Sequence, residues 1–175
     1  MLVLGGNSGG TYLDSVEAVS LTGESLECPD FPSLPNAVDG VTPTSTGPMN
    51  APVLCGGLSE GGVHRDECFV YRPETNTWEL LATMMETRTE YGIVQISEDR
   101  FWVTGGHNGQ SLKCTEFYDA STGMFSAGPD MPVATRRHSM MKINDTHIVA
   151  VGNFDGSAPV VSKPFNESTE ILRAA

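Results

Sequence analysis

Positive charge is scarce in this sequence. Ten lysines and arginines stand against 22 aspartates and glutamates in 175 residues, for a net charge of −12 and a sequence pI near 4.5. A surface of that sign is repelled by phosphate backbones and anionic lipid headgroups. Nucleic acid and charged membranes are therefore excluded as partners, and basic or neutral ones are not. Long apolar runs are missing too. None approaches the roughly 18–20 residues of a membrane-spanning helix, so no membrane insertion is expected. The opening "MLVLGGNSGG" has no basic segment before its short apolar stretch and does not read as a signal peptide.

Reactive constellations are equally sparse. There is no CxxC, no Cys/His zinc spacing, no HExxH and no DxDxDG loop, so neither a metal nor a cofactor is expected. His64, His107, His138 and His147 are scattered, and read as isolated loop or surface residues. The segments "GGNSGG" and "GGLSEGG" lack the lysine and hydroxyl of a phosphate-binding loop. What is plentiful is the turn-former: 19 glycines and 11 prolines, with only 18% charged residues, point to a turn-rich all-β chain about one domain long.

The glycines recur in register. A hydrophobic run precedes Gly5-Gly6, Gly56-Gly57, Gly105-Gly106 and Gly152-Asn153, and the first glycines are separated by 51, 49 and 47 residues. Tyr71 and Tyr118 are 47 apart, and each is followed seven residues later by an aromatic, Trp78 and Phe125. Met84 and Met131 come six residues after those. In the first copy Leu21, Cys28 and Leu34 hold the same spacings, and "STEILR" at 168–173 echoes "CTEFYD" at 114–119. Between these marks lie short β-forming runs, "YGIVQI", "RFWVTGG", "CTEFYD" and "GMFSAG", bounded by Gly, Pro, Asn and Asp.

A glycine pair after a hydrophobic stretch, then a Tyr, then a Trp, at a period near 50, resembles the kelch repeat. The resemblance is closest in "CGG…CFVYRPETNTW" and "TGG…TEFYDASTGMF", and it covers nearly the whole chain. It implies kelch-type β-propeller blades, each a four-stranded antiparallel sheet, with units at about 1–36, 37–86, 87–133 and 134–175. Four short strands per unit cannot bury both sheet faces alone, which leads to the same stacking of neighbours. The repeat glycines Gly5, Gly6, Gly56, Gly57, Gly105, Gly106 and Gly152 are expected where the backbone takes positive φ or passes close to the next blade. Asn76 and Gly123 are expected at hairpin turns. The incomplete outer units lead to the expectation of an incomplete propeller of roughly four blades, a fragment that self-associates or joins remaining blades.

Cys55, one residue before a glycine pair, and Cys68, three before the repeat Tyr, are expected on neighbouring strands, where a disulfide can form. The alternative is two buried thiols. The bridge and two sequons, at Asn144 and Asn166, favour an extracellular, oxidising setting over a cytoplasmic one. The resemblance implies a partner face carrying Arg88, Tyr91, His107, Asn108, Arg136 and Arg137. The competing reading, given slight precedence, makes these arginines inter-blade struts. The function expected is a non-catalytic module binding a protein or peptide. Two alternatives stand beside it: a substrate-recruiting ubiquitin-ligase subunit, as in kelch proteins joined to BTB domains, and a galactose-oxidase-like enzyme. The enzyme is disfavoured because Tyr12, Tyr71, Tyr91 and Tyr118 mostly occupy repeat positions.

Overall fold

The computed structural model describes residues 2–18, 31–44, 51–145, 147–152, 160–162 and 171–173. Among them the chain is all β apart from one short 3-10 turn, Glu60–Gly62. The strands are β1 (Leu2–Ser8), β2 (Thr11–Ala18), β3 (Val53–Cys55), β4 (Leu58–Ser59), β5 (Val63–His64), β6 (Glu67–Arg72), β7 (Thr77–Thr83), β8 (Gly92–Ser97), β9 (Arg100–Thr104), β10 (Thr115–Asp119), β11 (Met124–Ala127), β12 (Ser139–Asn144), β13 (His147–Val151), β14 (Val160–Ser162) and β15 (Ile171–Arg173). They form small antiparallel sheets that succeed one another as blades, and the blades do not close into a ring.

The third blade is complete. It is the sheet β8-β9-β10-β11, and its alternating inward residues bury both faces. Ile93, Phe101, Val103 and Tyr118 pack on the second blade's Val53, Cys55, Cys68 and Val70. Trp102 and Val94 face the fourth blade's Ile148 and Met140. The second blade is β3-β6-β7, and a bridge from Thr44 to Val53 stands where the first strand of the third blade lies. The first blade is represented by β1 and β2, with Leu4 and Val16 packed against the cluster of Leu34, Val38 and the second blade's Leu54, which Trp78 also covers.

In the fourth blade the order is β12-β13-β14-β15, and Val149 pairs with Val161. This corrects the register in which "STEILR" echoes "CTEFYD", which forms the third strand of its own blade. β14 takes that place, and Ile171–Arg173 pairs outside it. The reason is loop length: β10 starts ten residues after Gly105 and β14 eight residues after Gly152, so 160–162 reaches β13 at close to the separation used in the third blade, whereas 171–173 comes 19 residues after Gly152.

Gly56-Gly57 and Gly105-Gly106 follow the ends of β3 and β9, whereas Gly5-Gly6 lies inside β1 at a register shift, and all three pairs make one backbone lock. The second glycine's N–H donates to the carbonyl of the segment leading into the next blade: Gly6 to Val38 at 2.7 Å, Gly57 to Arg88 at 2.9 Å and Gly106 to Thr135 at 2.8 Å. The same three residues donate back: Val38 to Leu13, Arg88 to Arg65 and Thr135 to Leu112. Such close approach excludes a Cβ at the first glycine of each pair, which faces the same carbonyl. At Gly105, with φ of 56°, a Cβ would strike the Thr135 carbonyl, His138 and Met131. Asn76 and Gly123 both take positive φ at their hairpin turns, as the sequence suggests, and Asn153 and Cys28 lie outside the described residues.

Cys55 and Cys68 are directly opposed on β3 and β6, and a disulfide joins them. The Gly56 N–H donates to the Glu67 carbonyl, so the cysteines form a non-hydrogen-bonded pair, the register in which opposed side chains lie closest. Cys114 is a free thiol.

Two outcomes are expected. Gly105→Ala lowers stability by about 3 kcal/mol or more, whereas Gly123→Ala, at positive φ but with open space around it, costs only about 1 kcal/mol; urea midpoints compare the two. Reducing the bridge, which spans a sequence separation of 13, costs roughly 3 kcal/mol. Unfolding curves with and without reductant that superimpose would contradict a formed bridge.

Candidate loop face

Loops from second to third strands, and connections from each blade into the next, emerge at one end of the blades. This end holds the expected partner residues, and the backbone locks position them. Thr89 and His107 exchange backbone hydrogen bonds at 3.0 and 2.8 Å, as Asp39 and Leu58 do one blade earlier, both at 2.9 Å. A second series runs blade to blade: the Glu90 N–H donates to the Gly40 carbonyl and the Arg137 N–H to the Glu90 carbonyl, each at 2.7 Å. Gly40, Glu90 and Arg137 are thus one repeat position, and all three take positive φ, 66°, 54° and 57°. Holding Glu90 and Arg137 in the left-handed region is sterically costly for residues with a Cβ. The cross-blade bonds sustain it.

That geometry brings three charges together. The Glu90 carboxylate pairs with Arg137 at 2.6 Å and with Arg136 at 3.4 Å, joining the third and fourth blades. The Arg137 side chain remains 56% exposed and the Arg136 side chain 17%. His107 and His64, from the loops of the third and second blades, lie with ring centroids 5.4 Å apart. Burial and the neighbouring His107 hold the His64 imidazole below its ordinary value, with Glu90 opposing. Asn108 donates to Glu86 at 3.5 Å. Sequence reading missed Glu90 and His64. The recurrence of Gly40, Glu90 and Arg137 at offsets of 50 and 47 is the signal that marks Glu90.

Arg88 and Tyr91 are not on this surface. Both are fully buried, which revises their place among the partner residues. Arg88 pairs with the buried Glu116 on β10, and its Nη1 donates to the carbonyls of Gly105 at 2.7 Å and Cys114 at 3.3 Å. Glu116 in turn accepts from the N–H groups of Met85 at 2.6 Å and Glu86 at 3.1 Å. The guanidinium is a strut from the connection to the third blade's second and third strands. Its repeat equivalents are Val38 and Thr135, so Arg136 and Arg137 do not share its position.

Tyr91 donates its hydroxyl to the carbonyls of Cys55 and, at 3.2 Å, Thr42, and burial pushes its pKa up to about 12. His138 occupies the equivalent position in the fourth blade, 3% exposed, with Nε2 at 2.8 Å from Thr104 Oγ1. Burial lowers its pKa to about 4. His138 is therefore a core residue, in place of the surface histidine expected.

Among the described residues, no three His, Cys, Asp or Glu side chains gather as metal ligands. A groove of about 920 Å³ runs along the first strands, between residues 42–44, 93–98 and 139–142, and holds no cluster of titratable groups beyond Glu98, Lys142 and Asp145. Asn144 is exposed at the end of β12, and Asn166 lies outside the described residues.

Over 66 residues the chain is 36% identical to Kelch-like protein 7 of Rattus norvegicus and of Mus musculus, a stretch covering 37% of this chain and 11% of each relative. Over 75 residues it is 39% identical to Kelch-like protein 23 of Homo sapiens, covering 41% of this chain and 13% of the relative. The chain thus matches a small part of the length of these relatives. No family model matches it. The similarity and the sheets together point to a kelch-type repeat.

Glu116→Gln leaves a buried guanidinium without its counter-charge and is expected to cost about 3–5 kcal/mol. Arg137→Ala, at the exposed pair, is expected to cost less than about 1 kcal/mol; denaturant titrations of both variants check the contrast. For His138 the folded pKa is below the unfolded one, so as pH falls below about 6.5 the unfolded chain takes up a proton that the native chain refuses. Stability should fall by about 1.4 kcal/mol per pH unit from this group. Melts between pH 6.5 and 5 are expected to show that slope in the natural chain and its loss in His138→Gln.

Proposed function

We propose that this chain is a non-catalytic interaction module that presents the loop face, around Arg136, Arg137, Glu90, His64, His107 and Asn108, to a protein or peptide partner. The observation that carries this reading is the blade-to-blade backbone series Gly40, Glu90, Arg137, which places loop side chains of successive blades at fixed spacing on one surface. A rigid platform with variable loops is what recognition needs: binding energy concentrates in a few well-held side chains, and preorganisation reduces the entropy lost on association. The segments "LSEGGVHRDE" and "HNGQSLK" differ in length and chemistry while the locks beside them are the same. Specificity therefore resides in those segments.

Similarity to Kelch-like proteins supports an interaction role at this coarse level. No pairing of a nucleophile with a base appears among the described residues of the face, where the ionised groups are engaged in salt bridges. Peptides selected by display on the full chain provide the test. Arg137→Glu and His107→Ala are expected to weaken such peptides at least tenfold with the fold intact by circular dichroism, while Glu74→Lys, at the opposite end of the blades, leaves them unchanged. Peptides indifferent to both loop-face variants would sink the proposal.

A further inference from the structure

We infer that this chain associates head to tail with a second copy of itself, the uncovered face of its fourth blade seating against the copy's first blade. The internal repeat carries the inference, because each residue of β12 and β13 has a counterpart in the third blade whose surroundings are known. Strand pairing is the same in both blades. Gly92 opposes Thr104 and Val94 opposes Trp102, as Ser139 opposes Val151 and Met141 opposes Val149, every position displaced by 47 residues. Both hairpins also shift register at the same point, between Gln95 and Ser97 and between Lys142 and Asn144.

In the third blade this face is covered. Val94, Ile96 and Trp102 pack with Met140 and Ile148 of the fourth blade, and Thr104 meets His138. The second blade is covered too, with Val53 and Cys55 at the same positions as Trp102 and Thr104 and both buried against the third. In the fourth blade the counterparts are Met141, Ile143, Val149 and Val151. Val94, Trp102 and Thr104 are buried, whereas Met141, Ile143 and Val151 are each more than half exposed. Strand alternation places Ser139, Met141, Ile143, Val149 and Val151 on one face, an apolar stripe without a charge, of the kind that marks an interface.

What covers such a stripe in this fold is the opposite face of the following blade. Val103 of the third blade supplies that cover for the second, and Leu54 of the second packs in the same way against Leu4 and Val16 of the first. Both lie two residues before a repeat glycine, and both are buried. The first blade's counterpart is Val3, two residues before Gly5. Leu4 faces the second blade, so Val3 points away from it, and Val3 is 45% exposed. The first and fourth blades thus present the two halves of one interface, and a second copy supplies the missing half to each. Such a contact joins unlike surfaces, so a joined pair keeps one free face at either end and can extend to further copies. The net charge of −12 on every copy opposes the association, and salt therefore strengthens it. The loop face takes no part in this contact, and the inference does not rest on it.

Sedimentation of the natural 175-residue chain over a concentration series, at low and high salt, tests the inference. A reversible oligomer that grows with concentration and with salt is expected. Met141→Lys and Ile143→Lys on the fourth blade, and Val3→Lys on the first, each weaken association at least tenfold while the circular dichroism of the natural chain is kept. Mixing Met141→Lys with Val3→Lys restores a single contact and gives a heterodimer that grows no further. Ile143→Lys takes the place of Met141→Lys in the mixture if the latter fails to fold. A natural chain that stays monomeric at every concentration and salt overturns the inference. So does a Val3→Lys chain that still pairs with itself, which would set one fourth-blade face against another, and so does a mixture that remains monomeric.

Discussion

The hydrogen bond from the second glycine of each pair to the connecting segment's carbonyl is the constraint on which the remaining structure depends. It brings the connection into the next blade so near the strand that a Cβ on the first glycine of each pair would strike the same carbonyl. Once Val38, Arg88 and Thr135 are held in this way, the residues two positions later, Gly40, Glu90 and Arg137, fall where they bond to one another across blades. Each bond contributes about 1 kcal/mol net, so the effect is geometric before it is energetic. It sets the distance and rotation of one blade relative to the next.

With that distance set, the residue pair just before each glycine pair becomes the floor of the inter-blade interface, and three chemistries serve there. Leu4 opposes Val16 in the first blade, the Cys55–Cys68 disulfide stands in the second, and the buried Thr104 and Thr115 pair in the third. What covers the floor changes in step. Tyr91 reaches over the disulfide to the Cys55 carbonyl, and His138 reaches over Thr104 to its hydroxyl. A large neutral hydrogen-bonding ring from the incoming blade suits both sites. Burial keeps both rings uncharged, raising the tyrosine and lowering the histidine.

The glycine register made the blades legible, because a Cβ is excluded at a fixed point of every unit and that exclusion leaves a mark in the sequence. Opposed cysteines were legible for the same reason, since two known strands meet at a known residue. Roles within the connecting segment were not. Arg88, Arg136 and Arg137 lie in similar stretches, yet one or two residues of register separate a fully buried strut from the half-buried Arg136 and the exposed Arg137. Nothing in the local sequence around Arg88 announces Glu116, 28 residues away, as its partner. His138 reads as polar from its neighbours Arg136 and Arg137, and only its equivalence to Tyr91 reveals a core position. Short repeats with one-residue differences in loop length blur that equivalence.

The division between lock and loop also explains how one scaffold can support binding without conserving any contact residue within itself. Every lock uses backbone N–H and C=O groups, so exposed loop side chains such as Glu60 and Gln110 take no part in it, while Ser59, Arg65 and Leu112 in the same loops are bonded or buried. Glu90 is the exception, a side chain in the left-handed region that ties Arg136 and Arg137 across an interface. Its carboxylate neutralises part of the arginine charge and holds Arg137 at a defined angle to solvent. In a chain of net charge −12, this keeps the exposed Arg137 guanidinium at one end of the blades, where long-range repulsion of an acidic partner is locally offset. Under the proposed function, recognition would then be selective twice over, through the loops that vary and through an arginine pair whose charge is opposite to the sign of the chain as a whole.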